Sequence, residues 1–340
     1  MGTLNDMEKA TPATNTRGIV LLISDLLSIA DWPARAKEAG LTTIATHFIT
    51  QSRFEHHKMS HLVDFIASKE GQHFQKNCLD LGIQIEHETH AMSDLLPRSH
   101  FKGAPDMFRM DKEGRRNPDF NFCAHSEAAL SIICENAVSY AQDLMPTTRR
   151  YFFWIDDGCP MCHCRQCRIY SDSDQALMLE NTMAQALRRH VDPAATLAHL
   201  AYLNTLPPPT QVKPDPGVFL EFAPFRRSWS HPLSQREARR EQGLLTHGQH
   251  LELLDANLQL FGKESAQVLE YWLDVSLFSG HKQPPRKLPW NKEIFRDDVK
   301  TYHDHGVRHI TSFGAFMDAQ YIQLHGEPPL REYGAGLLAL

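Results

Sequence analysis

The feature of this sequence that most restricts its fold is an alternation. Short apolar runs at 18–23, 42–48, 82–88, 150–155, 196–202, 217–222, 267–275 and 307–313 are separated by longer stretches. Several of these, among them 30–38, 125–143, 174–190, 244–260 and 293–305, are amphipathic. In the 174–190 stretch, Ala176, Leu177, Leu179, Met183 and Leu187 recur with a period near 3.6 and leave Glu180, Gln185 and Arg188 for solvent. Strand-length apolar runs that alternate with helices predict parallel βαβ units, and eight such units close a barrel. The expectation is an α/β chain: a single (β/α)8 TIM barrel over residues 17–340, preceded by a flexible tail at 1–16. An open doubly wound sheet is the other arrangement such a pattern allows. Its nucleotide-binding form is weakened, because no G-x-G-x-x-G follows the first run and no P-loop occurs. The proline clusters at 207–209 and 284–285 read as loop segments, not domain linkers.

Composition narrows the partners. A chain of 340 residues has room for two domains, yet single β/α-barrels routinely exceed 250 residues. The formal net charge of −6 gives no reason to expect a nucleic-acid partner, which announces itself as a basic face. No run approaches the roughly 18 apolar residues of a membrane span, so no membrane partner is expected. The first residues carry acids and no apolar core of signal-peptide length, and Asp6 breaks the myristoylation pattern. With an odd count of 7 cysteines, this reads as a cytoplasmic protein without a disulfide framework.

In a β/α-barrel the chemistry sits at the carboxyl ends of the strands, so the polar residues closing each run are the candidates. In the third run Ile83 and Ile85 face the outer helices. Gln84, Glu86 and Glu88 alternate onto the lumenal side, with His90 sharing their parity. One of these acids can equally be a buried anchor paired to Arg or His. The fourth run ends in Asp156 and Asp157. Adjacent carboxylates repel and so need a reason. A glycosidase supplies one, because a raised pKa suits one acid to protonate a leaving oxygen. The competing reading is that one Asp caps the turn at Asp157-Gly158. Tyr202 and Asn204 follow the fifth run. The sixth brings Glu221, Arg226, Arg227, Trp229 and His231, and the seventh Tyr271, Trp272 and Asp274. Aromatics beside carboxylates suit a sugar, whose C–H face stacks on rings while its hydroxyls bond polar groups. Trp272 reads as core and Trp229 as the platform.

Cys159, Cys162, Cys164 and Cys167 fall within nine residues as C-x2-C-x-C-x2-C, with His163 inside. C-x-x-C is a natural half-site for tetrahedral zinc. The halves overlap more tightly than in ordinary fingers, so a structural zinc and four reduced thiols stand as alternatives. A catalytic zinc is disfavoured, since four thiolates leave no open position. No cofactor is required for the chemistry the acids suggest.

Taken as an ordered set, the motifs resemble a known family. These are Glu88 and His90; Leu95 to Pro97; Phe101, Pro105 and Phe108 to Asp111 with Gly114 and Arg115; Asn121 and Cys123. Further on come Trp154 and Asp156 to Gly158; Cys162, Cys164 and Cys167; Ser173 to Gln175; Ser230 to Leu233; Asp274 and Ser276 to Phe278. The resemblance, over residues 18–334, is to a domain-of-unknown-function family of the glycoside-hydrolase TIM-barrel clan, with relatives among endo-β-N-acetylglucosaminidases. It implies an oligosaccharide or glycoside substrate and a substrate-assisted route in which the 2-acetamido group attacks the anomeric carbon. Asp157 would then be the proton donor and Asp156 the orienting acid, with Glu88 the rival for either role. His90, Glu86, Tyr202, Asn204, Glu221, Arg226, Trp229, His231, Tyr271 and Asp274 would hold the sugar. The chain shows neither an export signal nor an accessory domain before the barrel, which favours an intracellular glycoside fragment. Two alternatives share the same residues: a carbohydrate-binding barrel without catalysis, and a metal-dependent hydrolase using His47, His87, His90 and His231. For the latter no HExxH or helical histidine pair is present.

Overall fold

The computed structural model describes residues 15–48 and 59–339. Eight parallel strands close in sequence order: β1 (Thr16–Leu22), β2 (Thr43–His47), β3 (Gln84–His90), β4 (Arg150–Trp154), β5 (Thr196–Ala201), β6 (Val218–Phe222), β7 (Gln267–Glu270) and β8 (His309–Phe313). Closure is made by β1 on β8, with Gly18 opposite Thr311 and Val20 opposite Phe313. The barrel reading therefore holds and the open sheet does not. The runs lie on the strands to within a few residues, except the seventh, which leaves the sheet after Glu270 so that Tyr271–Asp274 belong to the following loop. The tail at 1–14 lies outside the described residues, and Thr16 already belongs to β1.

Seven helices packed outside the sheet carry the argument: α1 (Trp32–Glu38), α2 (Lys69–Leu81), α3 (Glu127–Leu144), α4 (Asp172–His190), α5 (His247–Phe261), α6 (Lys292–His305) and α7 (Leu330–Leu338). Their starts are chemical. Ser68, Ser126, Ser171, Thr246 and Asn291 each accept a backbone N–H of the first turn through the side chain. α2 ends at Gly82, whose φ of 67° a side-chain-bearing residue adopts at a cost. The β5–β6 connection carries no α-helix, only a 3₁₀ turn at Leu203–Thr205 and the proline-rich 207–209.

Strand alternation divides the apolar residues into two cores. Ile19, Leu21, Ile44, Ile83, Ile85, Phe153, Leu197, Leu220, Val268 and Ile310 pack outward against the helices. Val20, Ala45, Phe152, Ala198, Phe219 and Leu269 fill the lumen, with Trp154 and Tyr271 toward its carboxyl end. Trp272 lies in the outer core, on the edges of Phe295 and Tyr302. No described helix is long and apolar enough to cross a membrane.

Candidate active site at the carboxyl end of the barrel

β3, β4, β6 and β7 put polar side chains inside the lumen itself. Glu86 and Glu88 point inward as their parity predicts, and Glu221 joins them from β6. All three are sealed from solvent, at 1%, 0% and 0% exposure. Glu221 accepts the Trp154 indole N–H at 2.8 Å and the Gln267 amide at 3.0 Å. Among the described residues Arg150 is the cation facing the three, with Nε 3.7 Å from Glu86. It lies over the Phe219 ring at 4.1 Å. Neither carboxyl oxygen of Glu88 makes a hydrogen bond of ordinary geometry. Burial, then the neighbouring Glu221 and Glu86, push Glu88 well above the usual carboxylate range, and burial pushes Glu221 up to about 8. These acids belong to the barrel interior, where burial disfavours their charged forms. Glu86, Glu88 and Glu221 therefore do not line the open rim: Glu86 and Glu88 precede His90 on β3, and Glu221 is fully buried on the Trp154 indole N–H.

The rim acids are Asp156 and Asp157, beyond the end of β4, and they differ from each other. Asp156 Oδ2 accepts the Arg98 guanidinium at 3.0 Å and the Asn121 backbone N–H at 2.6 Å, while the Asn121 side-chain carbonyl accepts the Asp156 N–H at 2.9 Å. Its Oδ1 makes no hydrogen bond to any described residue. Burial raises the Asp156 pKa, and Arg98 with the Asn121 N–H partly lowers it again. Asp157 is exposed, and its carboxylate has no described partner. Neither carboxylate caps the turn: Asp156 is pinned by Arg98 and Asn121, and the turn is closed by the Cys159 N–H on the Asp156 backbone carbonyl, with Gly158 at φ 58°. A Cβ on Gly158 would meet Leu203 Cδ1 at 2.6 Å, so the tight turn that presents Asp157 depends on glycine.

Aromatic rings surround this rim. Tyr271 stacks on Phe313 with centroids 5.6 Å apart and meets Phe225 and Trp229 edge-on at 5.0 and 6.0 Å. Tyr202 continues the wall against Phe225 at 5.6 Å, and His90 lies on Trp154 at 5.1 Å. The wall faces the acids. Burial first, then Tyr202, Asp157, Asp274 and Glu221, raise the Tyr271 phenol well above its ordinary value. Trp229 is held from behind, its N–H donating to Glu270 at 3.3 Å. Glu270 and Asp298 in turn clasp the wholly buried Arg227 at 2.8 and 2.6 Å.

The other expected sugar ligands divide. Arg226 is exposed beside Phe225 with no described ion pair, and His231 is exposed against the Ser228 and Ser230 hydroxyls at 3.1 Å. Asp274 is buried. It accepts the Ser276 hydroxyl at 2.6 Å and the Leu277 N–H at 3.1 Å, starting the short helix Val275–Phe278. Asn204 spends its amide on Asp172 at 2.8 Å and the Cys159 carbonyl at 3.3 Å, so it ties the segment after β5 to the one after β4. Among the described residues no histidine of the metal-hydrolase reading belongs to a cluster spaced to hold a metal ion. His47 bonds the Glu88 carbonyl at 2.5 Å, His90 the Ile155 carbonyl at 2.6 Å, and His87 both Thr46 and the Leu144 carbonyl. Burial holds His87 down to about 4.

The cysteine cluster is real but composed differently from its spacing. Cys123, Cys162, Cys164 and Cys167 are buried with their sulfurs all within 4.8 Å of one another. Cys159 is excluded. Its carbonyl is tied to the Asn121 and Asn204 amides and its thiol turns onto the Asp157 carbonyl at 3.3 Å. The fourth sulfur comes from the loop between β3 and α3, and the N-x-C step at Asn121–Cys123 was the one sequence sign of it.

Residues 30–251, well over half of the chain, match the family described as Domain of unknown function (DUF4838). The chain belongs to the DUF4838 family. No curated protein sequence matches it. Solved structures share the DUF4838 barrel's fold. The GH42 β-galactosidase Gan42B is 11% identical with a TM-score of 0.54, over 95% of this chain and 56% of that one. PbGH5A, a glycoside hydrolase family 5 enzyme from Prevotella bryantii B14 in complex with a xyloglucan tetradecasaccharide, is 8% identical with a TM-score of 0.50, over 96% of both chains. A tri-modular GH5 endo-β-1,4-glucanase from Bacillus licheniformis, complexed with cellotetraose, is 10% identical with a TM-score of 0.51, over 96% of this chain and 59% of that one. The DUF4838 chain thus spans little more than half the length of two of them. At such identities the likeness is one of fold, a TIM barrel. The site must be argued from its own side chains.

In the DUF4838 barrel those side chains offer one exposed acid, one anchored acid with an open oxygen, and a wall of rings. Arg98, Asn121, Phe225 and Phe313 were not picked out for these roles from sequence. Arg98 and Asn121 lie in a loop far from β4 in the chain, and only folding brings them to Asp156.

Proposed function

We propose that this barrel binds a sugar across its carboxyl-end rim and hydrolyses its glycosidic bond, with Asp157 donating the proton. The observation that supports this best is the asymmetry of the β4 pair. Asp156 is fixed by Arg98 and Asn121 with Oδ1 uncommitted, and Asp157 stands exposed and unpaired opposite the Tyr271–Trp229 wall. The fold neighbours that carry names of β-galactosidase and glucanase activities agree in reaction class.

For the substrate we propose an N-acetylhexosaminide. Its acetamido oxygen attacks the anomeric carbon as the glycosidic C–O bond breaks, and Asp157 gives its proton to the leaving oxygen. Asp156 Oδ1, ionised, accepts the acetamido N–H and offsets the charge of the cyclic intermediate. Water then attacks the anomeric carbon, Asp157 takes its proton, and the acetamido group is restored. Trp229 and Tyr271 hold the ring, with Arg226 and His231 free to meet further hydroxyls.

The test is turnover on aryl N-acetyl-β-glucosaminide, β-glucoside, β-galactoside and β-glucuronide. Loss of a general acid costs about 10²- to 10⁴-fold in rate, and Asp157→Asn is expected to lose that much on the preferred substrate. Unchanged turnover in the variant would remove Asp157 from the role. A second reading, carbohydrate binding without hydrolysis, draws on the sealing of Glu88 and Glu221, which leaves Asp156 and Asp157 to meet a ligand at the rim without them. Saturable binding of these glycosides with no product from any of them would favour it.

A further inference from the structure

We propose that Cys123, Cys162, Cys164 and Cys167 hold one zinc ion in a tetrahedral four-thiolate centre that fastens the loop after β3 to the loop after β4. All seven cysteines are free thiols. A tetrahedron with zinc–sulfur bonds of about 2.3 Å has sulfur–sulfur edges of about 3.8 Å. Cys123 Sγ lies 3.8 Å from both Cys164 Sγ and Cys167 Sγ, so two edges already have that length.

The surroundings suit a charged centre. Four thiolates around a dication carry two net negative charges, and N–H donors point at the sulfurs. The Met110 and Cys164 backbone N–H groups reach Cys162 Sγ at 3.3 and 3.5 Å, and Arg116 Nη1 reaches it at 3.7 Å. His125 Nδ1 lies 3.4 Å from Cys167 Sγ. Outer contacts of this kind orient ligands and spread their charge. Four protein sulfurs leave no open position for substrate or water, so the ion's role is mechanical.

Its mechanical consequence reaches the rim. Asn121, two residues before Cys123 and at φ 46°, makes the paired backbone and side-chain bonds that fix Asp156, and its amide also holds the Cys159 and Pro160 carbonyls at 3.1 Å. The metal would therefore set the position of the β4 acids from behind. That consequence rests on the glycosidase reading, whereas the metal site does not.

The experiment is elemental analysis of the full chain as purified, beside cysteine alkylation read by mass spectrometry with and without a strong chelator. One zinc per chain is expected, with Cys123, Cys162, Cys164 and Cys167 alkylated only after chelation. Cys123→Ser should fall well below one zinc, and Cys159→Ser should keep it. Should Cys123→Ser not fold, cobalt(II) added to the chelated wild-type chain gives the second readout, an intense sulfur-to-cobalt charge-transfer band and the visible bands of a tetrahedral site. A metal-free chain with no cobalt–thiolate band would overturn the proposal. So would zinc kept by Cys123→Ser and lost by Cys159→Ser, or iron in its place.

Discussion

At the scale of single residues, two adjacent aspartates acquire different properties from contacts that lie far away in the chain. Asp156 is stabilised as an anion by Arg98 while burial works against the charge, so its pKa is raised, but less than burial alone would dictate. An orienting carboxylate acts when ionised, and activity is lost as pH falls through its pKa. Replacing Arg98 by Met removes a charge that favours the anion, so the acidic limb of the kcat/KM profile should move to higher pH. Circular dichroism establishes that the variant is folded. A limb that stays in place, or moves down, would separate Arg98 from Asp156 function. The sequence made the Asp156–Asp157 pair visible because two acids after five apolar residues are unusual. It hid which one is held, since the holder lies some 35 to 58 residues upstream.

At the scale of elements, the aromatic wall is braced by ions. Arg227 is wholly buried between Glu270, at the end of β7, and Asp298 on α6, and those acids also receive the Trp229 and Trp272 indoles. Buried ion pairs add little net stability over apolar packing, yet removing one partner strands the other. Arg227→Met leaves two buried carboxylates without their cation and should cost about 3–5 kcal/mol in denaturant unfolding. Glycoside affinity should weaken with it as the Trp229 anchor loosens. A change below about 0.5 kcal/mol, the scale of an ordinary surface substitution, would contradict the brace. Sequence showed Arg226 and Arg227 as a pair without showing that the chain turns one outward and the other inward. The strands and α4 were legible because their periodicity is strong. α2 was not, because its sequence KEGQHFQKNCLDL buries only Gly71, Phe74 and Cys78 and otherwise faces solvent.

At the scale of the whole molecule, closure of the sheet decides what kind of site each acid makes. Eight strands leave a lumen that side chains fill, so Glu86, Glu88 and Glu221 are buried interior groups whose mutual repulsion adds to burial in raising Glu88. The loops beyond the strand ends carry Asp156, Asp157, Trp229 and Tyr271. The alternation of apolar runs was enough to read the barrel. It was not enough to read depth along each strand, because a shift of one inward position separates the sealed Glu88 from the half-buried His90. The central claim is that the carboxyl-end rim is a carbohydrate site. Its most direct test is a crystal structure of Asp157→Asn with a sulfur-linked N-acetylglucosamine disaccharide. The account predicts a sugar ring on Trp229 and Tyr271 and its acetamido N–H about 2.6–3.2 Å from Asp156 Oδ1. A disaccharide seated elsewhere on the barrel, with the β4 acids untouched, would contradict it.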